Sequence, residues 1–230
     1  MDKLDELETP PEQKPVQRPL ILVVDDDPDV LKFVGVALQM DGFRVMAVAD
    51  GSEVLQLVRD ERPELVILDI MMPQTDGYAL CQQVRDFSKV PIIMLTAKAG
   101  AEDIVRGLNL GADDYVTKPF NVNELALRVK AVLHRTKRPV EMAPMPPDWG
   151  DLVVDPAQRL VRIAEREIEL PTIEFRLFSL LTRIAGEVIT HKHLLTEVWG
   201  PEYDGKGTHV LEAAIARLRK RRACACGDYN

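Results

Sequence analysis

Cysteine is scarce in this chain, and so are aromatic side chains, histidine and long apolar runs. The three cysteines, Cys81, Cys224 and Cys226, form no paired framework. An odd number of this kind excludes a disulfide-stapled secreted domain and fits a reducing cytoplasm. Cys224-Ala225-Cys226 lacks a second ligand pair to close a tetrahedral metal site, so it reads as free thiols. Aromatics are only 5% of the residues, so a core must be built from aliphatic side chains. No apolar run nears the roughly 20 residues that a spanning helix requires, and no membrane association is expected. Residues 1–19 carry acidic residues and prolines without an apolar centre. They read as a disordered extension and not as a secretory leader.

What is present describes a soluble globular protein of two ordinary domains. The chain has 230 residues, 46% hydrophobic and 29% charged, enough to bury a real core. The net charge of −8 is unevenly placed. Residues 151–222 hold 12 basic against 11 acidic side chains, so nearly all the negative charge lies elsewhere. Such asymmetry points to separate tasks, with nucleic acid a candidate partner for the less acidic half.

The first domain announces itself by alternation. Leu20–Val24 is an apolar, β-branched strand followed by Asp25-Asp26-Asp27-Pro28, where acidic residues and a proline suit a helix start. Val30, Leu31, Val34 and Leu38 then recur at helical spacing up to Gly42. Further strands are expected at 43–48, 65–69, 91–95 and 114–117, and further helices at 54–58, 78–86, 102–109 and 124–135. Five strands alternating with five helices imply a parallel sheet covered on both faces, with flavodoxin-like order 2-1-3-4-5.

Leu65-Val66-Ile67-Leu68-Asp69 ends a strand buried on both faces in a single carboxylate. In this topology the first and third strands are neighbours, so Asp25 and Asp26 converge on Asp69. Carboxylates brought together repel unless a cation is bound, and Mg²⁺ favours a few such oxygens while keeping its waters. Helix capping by the Asp25–Asp27 run is the competing reading. Thr96 and Lys118 end the next two strands at the same edge, supplying a hydroxyl and an ammonium of the kind a phosphoryl group requires. A carboxylate can itself be the nucleophile that takes such a group.

Asp25-Asp26, Asp69, Pro73, Thr96 and Lys118-Pro119 resemble the receiver-domain pattern of two-component response regulators, over residues 20–135. The resemblance implies that Asp69 accepts phosphate from a sensor histidine kinase. It further implies Mg²⁺ held by Asp25, Asp26, Asp69 and the Met71 backbone carbonyl, Lys118 on the phosphoryl oxygens, and a cis Lys118–Pro119 bond. Thr96 and Tyr115 would form the switch pair. Residues 107–115 look like the OmpR/PhoB subfamily, which implies a phosphorylation-dependent homodimer through the fourth helix, fifth strand and fifth helix. Asp114 would meet Arg128 of the second copy, with Glu124 and Arg135 on the same face. Ile104 stands where the family has a basic residue to meet Glu124, so one ion pair is expected to be lost.

After a proline-bearing linker at 137–149, the texture changes. Three short strands near 152–154, 159–163 and 167–169 precede helices near 172–185, 190–199 and 207–222. Glu174-Phe175-Arg176-Leu177, Val188-Ile189-Thr190 and Leu194–Gly200 look like the winged-helix effector of the same subfamily. The fold class expected is therefore an α/β receiver followed by an α+β winged-helix domain at 150–222. The final helix would carry His209, Arg217, Arg219, Lys220 and Arg221 to promoter DNA, with direct-repeat half-sites. The subfamily continues into a β-hairpin wing; residues 223–230 are expected to be an irregular tail in its place. Pro171 replaces a capping Ser or Thr, so the capping box with Glu174 is lost.

The protein is thus expected to be a non-enzymatic, phosphorylation-activated transcriptional regulator. The alternative is a receiver with impaired DNA binding that acts through protein contacts. A hydrolase working through an aspartyl phosphate would call for a second acid two residues after Asp69, where the chain has Met71.

Overall fold

The computed structural model describes residues 18–97, 101–137, 152–155, 158–163, 165–203 and 208–226. Expectations for residues 1–17, for the linker at 138–149 and for the side chain of Ile104 lie outside the described residues.

The five strands of the first domain are β1 (Leu20–Val24), β2 (Arg44–Val48), β3 (Leu65–Asp69), β6 (Ile92–Thr96) and β7 (Asp114–Thr117). They pair in parallel in the order β2-β1-β3-β6-β7, the arrangement the alternation implied. Every residue of β1, β3 and β6 is buried, which explains why these strands are continuous apolar runs. Five helices cover the sheet: α1 (Pro28–Met40), α2 (Val54–Asp60), α3 (Gly77–Phe87), α4 (Ala101–Asn109) and α5 (Val122–Lys137). Two apolar layers result. Ile21, Val23, Ile67, Ile93 and Leu95 pack with α1 and α5 on one side. Leu22, Val24, Leu68, Ile92 and Met94 pack on the other with α3 and α4. Alternate residues of each strand thus serve opposite layers.

A two-strand ribbon, β4 (Met71–Met72) with β5 (Thr75–Asp76), bridges β3 to α3 and was not foreseen. It is too short to show a period. The turn it makes carries the chain back so closely that Gly77 has no room for a side chain. A Cβ there would lie 2.4 Å from the Asp69 carbonyl oxygen and 2.6 Å from Ile70 Cα.

The second domain opens with an antiparallel sheet of β8 (Leu152–Asp155), β9 (Leu160–Ile163) and β10 (Arg166–Glu169), ordered β10-β9-β8. Helices α6 (Thr172–Arg183), α7 (His191–Val198) and α8 (Thr208–Cys226) follow. Thr190 caps α7, its hydroxyl accepting from the His193 N–H at 3.3 Å. Gly200, at φ 114°, follows that helix in the left-handed region. Pro171 makes no side-chain cap to α6. The expected irregular tail is corrected in part: α8 continues through Cys226. Ala223, Cys224, Ala225 and Cys226 contain no helix breaker, and alanine has the highest helix propensity. Among the described residues, α8 is the last element, and no helix is long and apolar enough to cross a membrane.

The Gly77→Ala substitution should destabilise the fold by about 1–3 kcal/mol, because the clash is with backbone that cannot move aside. A urea titration of the variant beside the parent chain measures this; an unchanged midpoint would contradict the close approach.

Candidate functional site: an acidic cluster at the sheet edge and a covered receiver face

Strand register places the site. Val24 pairs with Leu68 across β1 and β3, and Asp69 pairs with Leu95 across β3 and β6. Asp25, Asp69 and Thr96 therefore emerge together at the carboxyl edge, the ligand-binding side of an open parallel sheet. One carboxylate oxygen from each of Asp25, Asp26 and Asp69 lies within 4.8 Å of the others. Asp25 and Asp69 are buried, while Asp26 sits exposed at the mouth.

The three consecutive acids divide their tasks. Asp27 is the helix cap, accepting from the Asp29 N–H at 2.9 Å. Asp25 turns inward, its Oδ1 accepting from the Asp27 N–H at 3.0 Å. Capping therefore accounts for one acid and leaves two for the cluster.

Lys118 spans the buried pair. Its Nζ donates to Asp25 Oδ2 at 2.7 Å and to Asp69 Oδ2 at 2.8 Å. The backbone N–H of Lys118 donates to the Thr96 carbonyl at 2.7 Å, fixing the base of the side chain to β6. The Lys118–Pro119 bond is cis, as the resemblance implied. Asp69 Oδ1 accepts from the Met71 N–H at 3.2 Å. Burial raises the Asp25 pKa from its ordinary value, against the opposing pull of Lys118. Burial would lower the Lys118 pKa, but its bonds to both aspartates outweigh that and raise it. The donor set of three carboxylates, two of them buried, fits a hard divalent cation, which would relieve their mutual repulsion.

A second buried ionic group was not foreseen. Arg85 on α3 donates to Asp113 Oδ2 at 2.7 Å, to the Gly111 carbonyl at 2.8 Å and to the Val90 carbonyl at 2.5 Å. Asp113 also accepts from the Ile92 N–H at 2.9 Å. The pair ties the start of β7 to β6 and α3. Cys81 lies near it, and burial pushes its thiol pKa up to about 11, so it is inert at neutral pH.

The residues assigned to the dimer and DNA faces are arranged differently from the expectation. Arg128 meets Asp114 at 3.2 Å and Glu124 at 2.9 Å within one chain. It also donates to the Tyr203 hydroxyl oxygen of the second domain at 2.7 Å. Asp114 and Arg128, expected to meet between two copies, are also in contact within one chain. Arg135 is buried, not displayed on an open face. The Tyr115 hydroxyl lies 2.6 Å from His209 Nε2, so a half-buried His209 contacts the first domain. Burial raises the Tyr115 pKa and lowers that of His209.

Two of the expected DNA-facing arginines are also engaged. Arg217 and Arg221 each donate through Nε at 2.7 Å to the carboxylate of Glu174, which is buried at 1% exposure. A buried carboxylate demands such compensation. Glu174, freed from a capping box by Pro171, instead neutralises the inner side of α8. Arg219 and Lys220 remain exposed. Sequence spacing carried a signal for this: Arg217 and Arg221 are four apart, on one helical face.

Fold and cluster together define the class: a phosphoacceptor-type receiver sheet joined to a compact α+β effector. Comparison with known proteins agrees. Residues 21–130 match the response regulator receiver domain, and residues 165–222 match the C-terminal domain of transcriptional regulatory proteins. The DNA-binding response regulator MtrA of Mycolicibacterium smegmatis is 42% identical over 206 residues, covering 89% of this chain and 88% of that protein. The probable transcriptional regulator ycf27 of Guillardia theta is 41% identical over 207 residues, covering 87% and 81%. Among solved structures, the Thermotoga maritima OmpR/PhoB homolog DrrB is 35% identical, with 89% of each chain covered and a TM-score of 0.51. The chain belongs to the OmpR/PhoB-type response regulators, a receiver followed by a transcriptional regulatory domain.

Replacing Lys118 by Ala leaves Asp25 and Asp69 without their shared ammonium. The Lys118→Ala chain should lose about 1–3 kcal/mol in cation-free buffer. Divalent cation should then stabilise it more than it stabilises the parent. Thermal melts with and without the cation check both signs.

Proposed function

We propose that Asp69 is the phosphoacceptor through which a sensor histidine kinase controls this transcriptional regulator. The observation that carries the reading is the Asp69 carboxylate at the sheet edge, flanked by two further acids and bonded to Lys118 at 2.8 Å. An oxygen of Asp69 attacks phosphorus, an acyl phosphate bond forms, and the P–N bond to the donor imidazole breaks with its electron pair returning to the ring. Lys118, then released from Asp69, balances charge on the phosphoryl oxygens, and the Thr96 hydroxyl donates to one of them. Burial of Asp69 and Thr96 limits water at the reacting centre. Asp25, Asp26, Asp69 and the Met71 carbonyl would hold Mg²⁺, which when bound would supply the positive charge that two approaching anions require.

The output is DNA binding from the cytoplasm, with Arg219 and Lys220 on the outward side of α8 as the first candidates to meet phosphates. Dimerisation through α4, β7 and α5 would set two effectors on neighbouring half-sites. Asp114, Glu124 and Arg128 remain the dimer candidates once the second domain moves away.

Incubated with acetyl phosphate and Mg²⁺, the parent chain should gain one phosphoryl group by intact mass. The Asp69→Ala chain should gain none while melting as a folded protein; labelling of that variant would remove Asp69 from the role. In gel shifts on promoter DNA, Arg219→Ala and Lys220→Ala should each weaken binding and each reduce the salt slope by roughly one. Unchanged slopes would place the DNA face elsewhere.

A further inference from the structure

A cleft opens where the two domains meet, between the turn that links α4 to β7 and the surfaces of β10 and α8. Its volume is about 650 Å³, within the range of small-molecule sites. Five of its ten lining residues are basic, Arg85, Arg166, Arg217, Lys220 and Arg221, against a single acid, Glu167. Two buried acids stand behind this lining: Asp113 takes Arg85, and Glu174 takes Arg217 and Arg221. With both counted, an excess of two positive charges remains, on a chain whose net charge is −8. Charge of one sign gathered in a concavity focuses its field on whatever enters.

The cations form two sets. Arg85 and Arg217 are the inner one, with side chains 8% and 11% exposed and held by acids and backbone carbonyls. Arg166, Lys220 and Arg221 are exposed. Arg221 gives Nε to Glu174, which leaves its two terminal nitrogens as donors. Lys220 forms no ion pair among the described residues. The same cleft is lined by Leu110 and Ile168, half-buried apolar side chains from opposite domains.

We propose that this cleft binds a nucleotide, its phosphates on Arg166, Lys220 and Arg221 and its base against Leu110 and Ile168. Guanidinium forks match phosphate oxygens in pairs, and an ammonium adds a point charge. The Asn109 amide, also in the lining, can both donate to and accept from a base edge. Inorganic phosphate would leave the apolar side chains wet, and an apolar ligand would leave the cations unused. Binding here requires neither the phosphoacceptor reading of Asp69 nor DNA binding by α8. Lys220 is also a contact offered to DNA, so nucleotide and DNA compete for it, each weakening the other by the same factor. That consequence alone rests on the DNA-binding reading.

Calorimetry with ATP on the full chain tests the site. Metal-free buffer is used, so that the acidic cluster at Asp69 repels the polyphosphate. ATP should bind one-to-one. Arg166→Ala and Lys220→Ala should each weaken it about tenfold or more while melting as the parent chain does. Arg183→Ala removes an equal charge from the exposed end of α6, outside the cleft, and should leave the affinity unchanged. Equal weakening in all three would reduce the effect to net charge and overturn the site. Adenosine and inorganic triphosphate should each bind about tenfold or more weakly than ATP. Triphosphate as tight as ATP would overturn the nucleotide class. In hydrogen exchange, ATP should slow residues 109–111 and 166–168 together; protection confined to α8 would overturn the two-domain cleft. In gel shifts, ATP should weaken promoter binding by the parent chain and not by Arg166→Ala. ATP binding without that competition would overturn the shared use of Lys220, whereas no DNA binding under any condition would count against the DNA reading alone.

Discussion

The contact on which the structure depends is Lys118 between two buried carboxylates. A parallel sheet brings the ends of β1 and β3 together by hydrogen-bond register, whatever residues stand there. Acids at those ends repel, and burial worsens the repulsion by removing water. The ammonium of Lys118, which directly follows β7, balances them.

The effector domain repeats the theme with a different solution. Glu174 is buried in α6 and is neutralised by Arg217 and Arg221 from α8. This fixes the rotation of α8 about its axis: Arg217 reaches Glu174 from a largely buried position and Arg221 from an exposed one. Rotation in turn decides that Arg219 and Lys220 point out, and that Val210, Leu211, Ala213 and Ala214 continue the apolar seam into the receiver. A domain that looks basic along its last helix thus spends part of that charge internally. One ion pair crosses the boundary, from Lys89 of the receiver to Glu169 of the effector, and Arg128 donates across it to the Tyr203 hydroxyl oxygen.

Burial across the boundary also explains why few aromatics suffice. Trp199, Tyr203 and Tyr115 all lie at or near the junction, each with a polar tip bonded to the other domain. Such side chains suit a surface that must be apolar enough to hold and polar enough to part. The junction combines these polar tips with one buried apolar cluster shared by both domains.

The local pattern was enough to determine the sheet order, the helix positions and the convergence of Asp25, Asp26, Asp69, Thr96 and Lys118 at one sheet edge. Apolar strands and helical periods are short-range signals, and parallel register then leaves little freedom at the strand ends. The ribbon at Met71–Asp76 escaped because two-residue strands have no period, and the extra helical turns to Cys226 because a resemblance to winged helices outweighed alanine's propensity. Tertiary structure alone decided the rest. Whether Arg217 meets DNA or Glu174, and whether Arg128 meets a second copy or Tyr203, depends on which surface lies opposite. No residue encodes its distant neighbour in its own spacing; that is set only when two amphipathic faces close on each other.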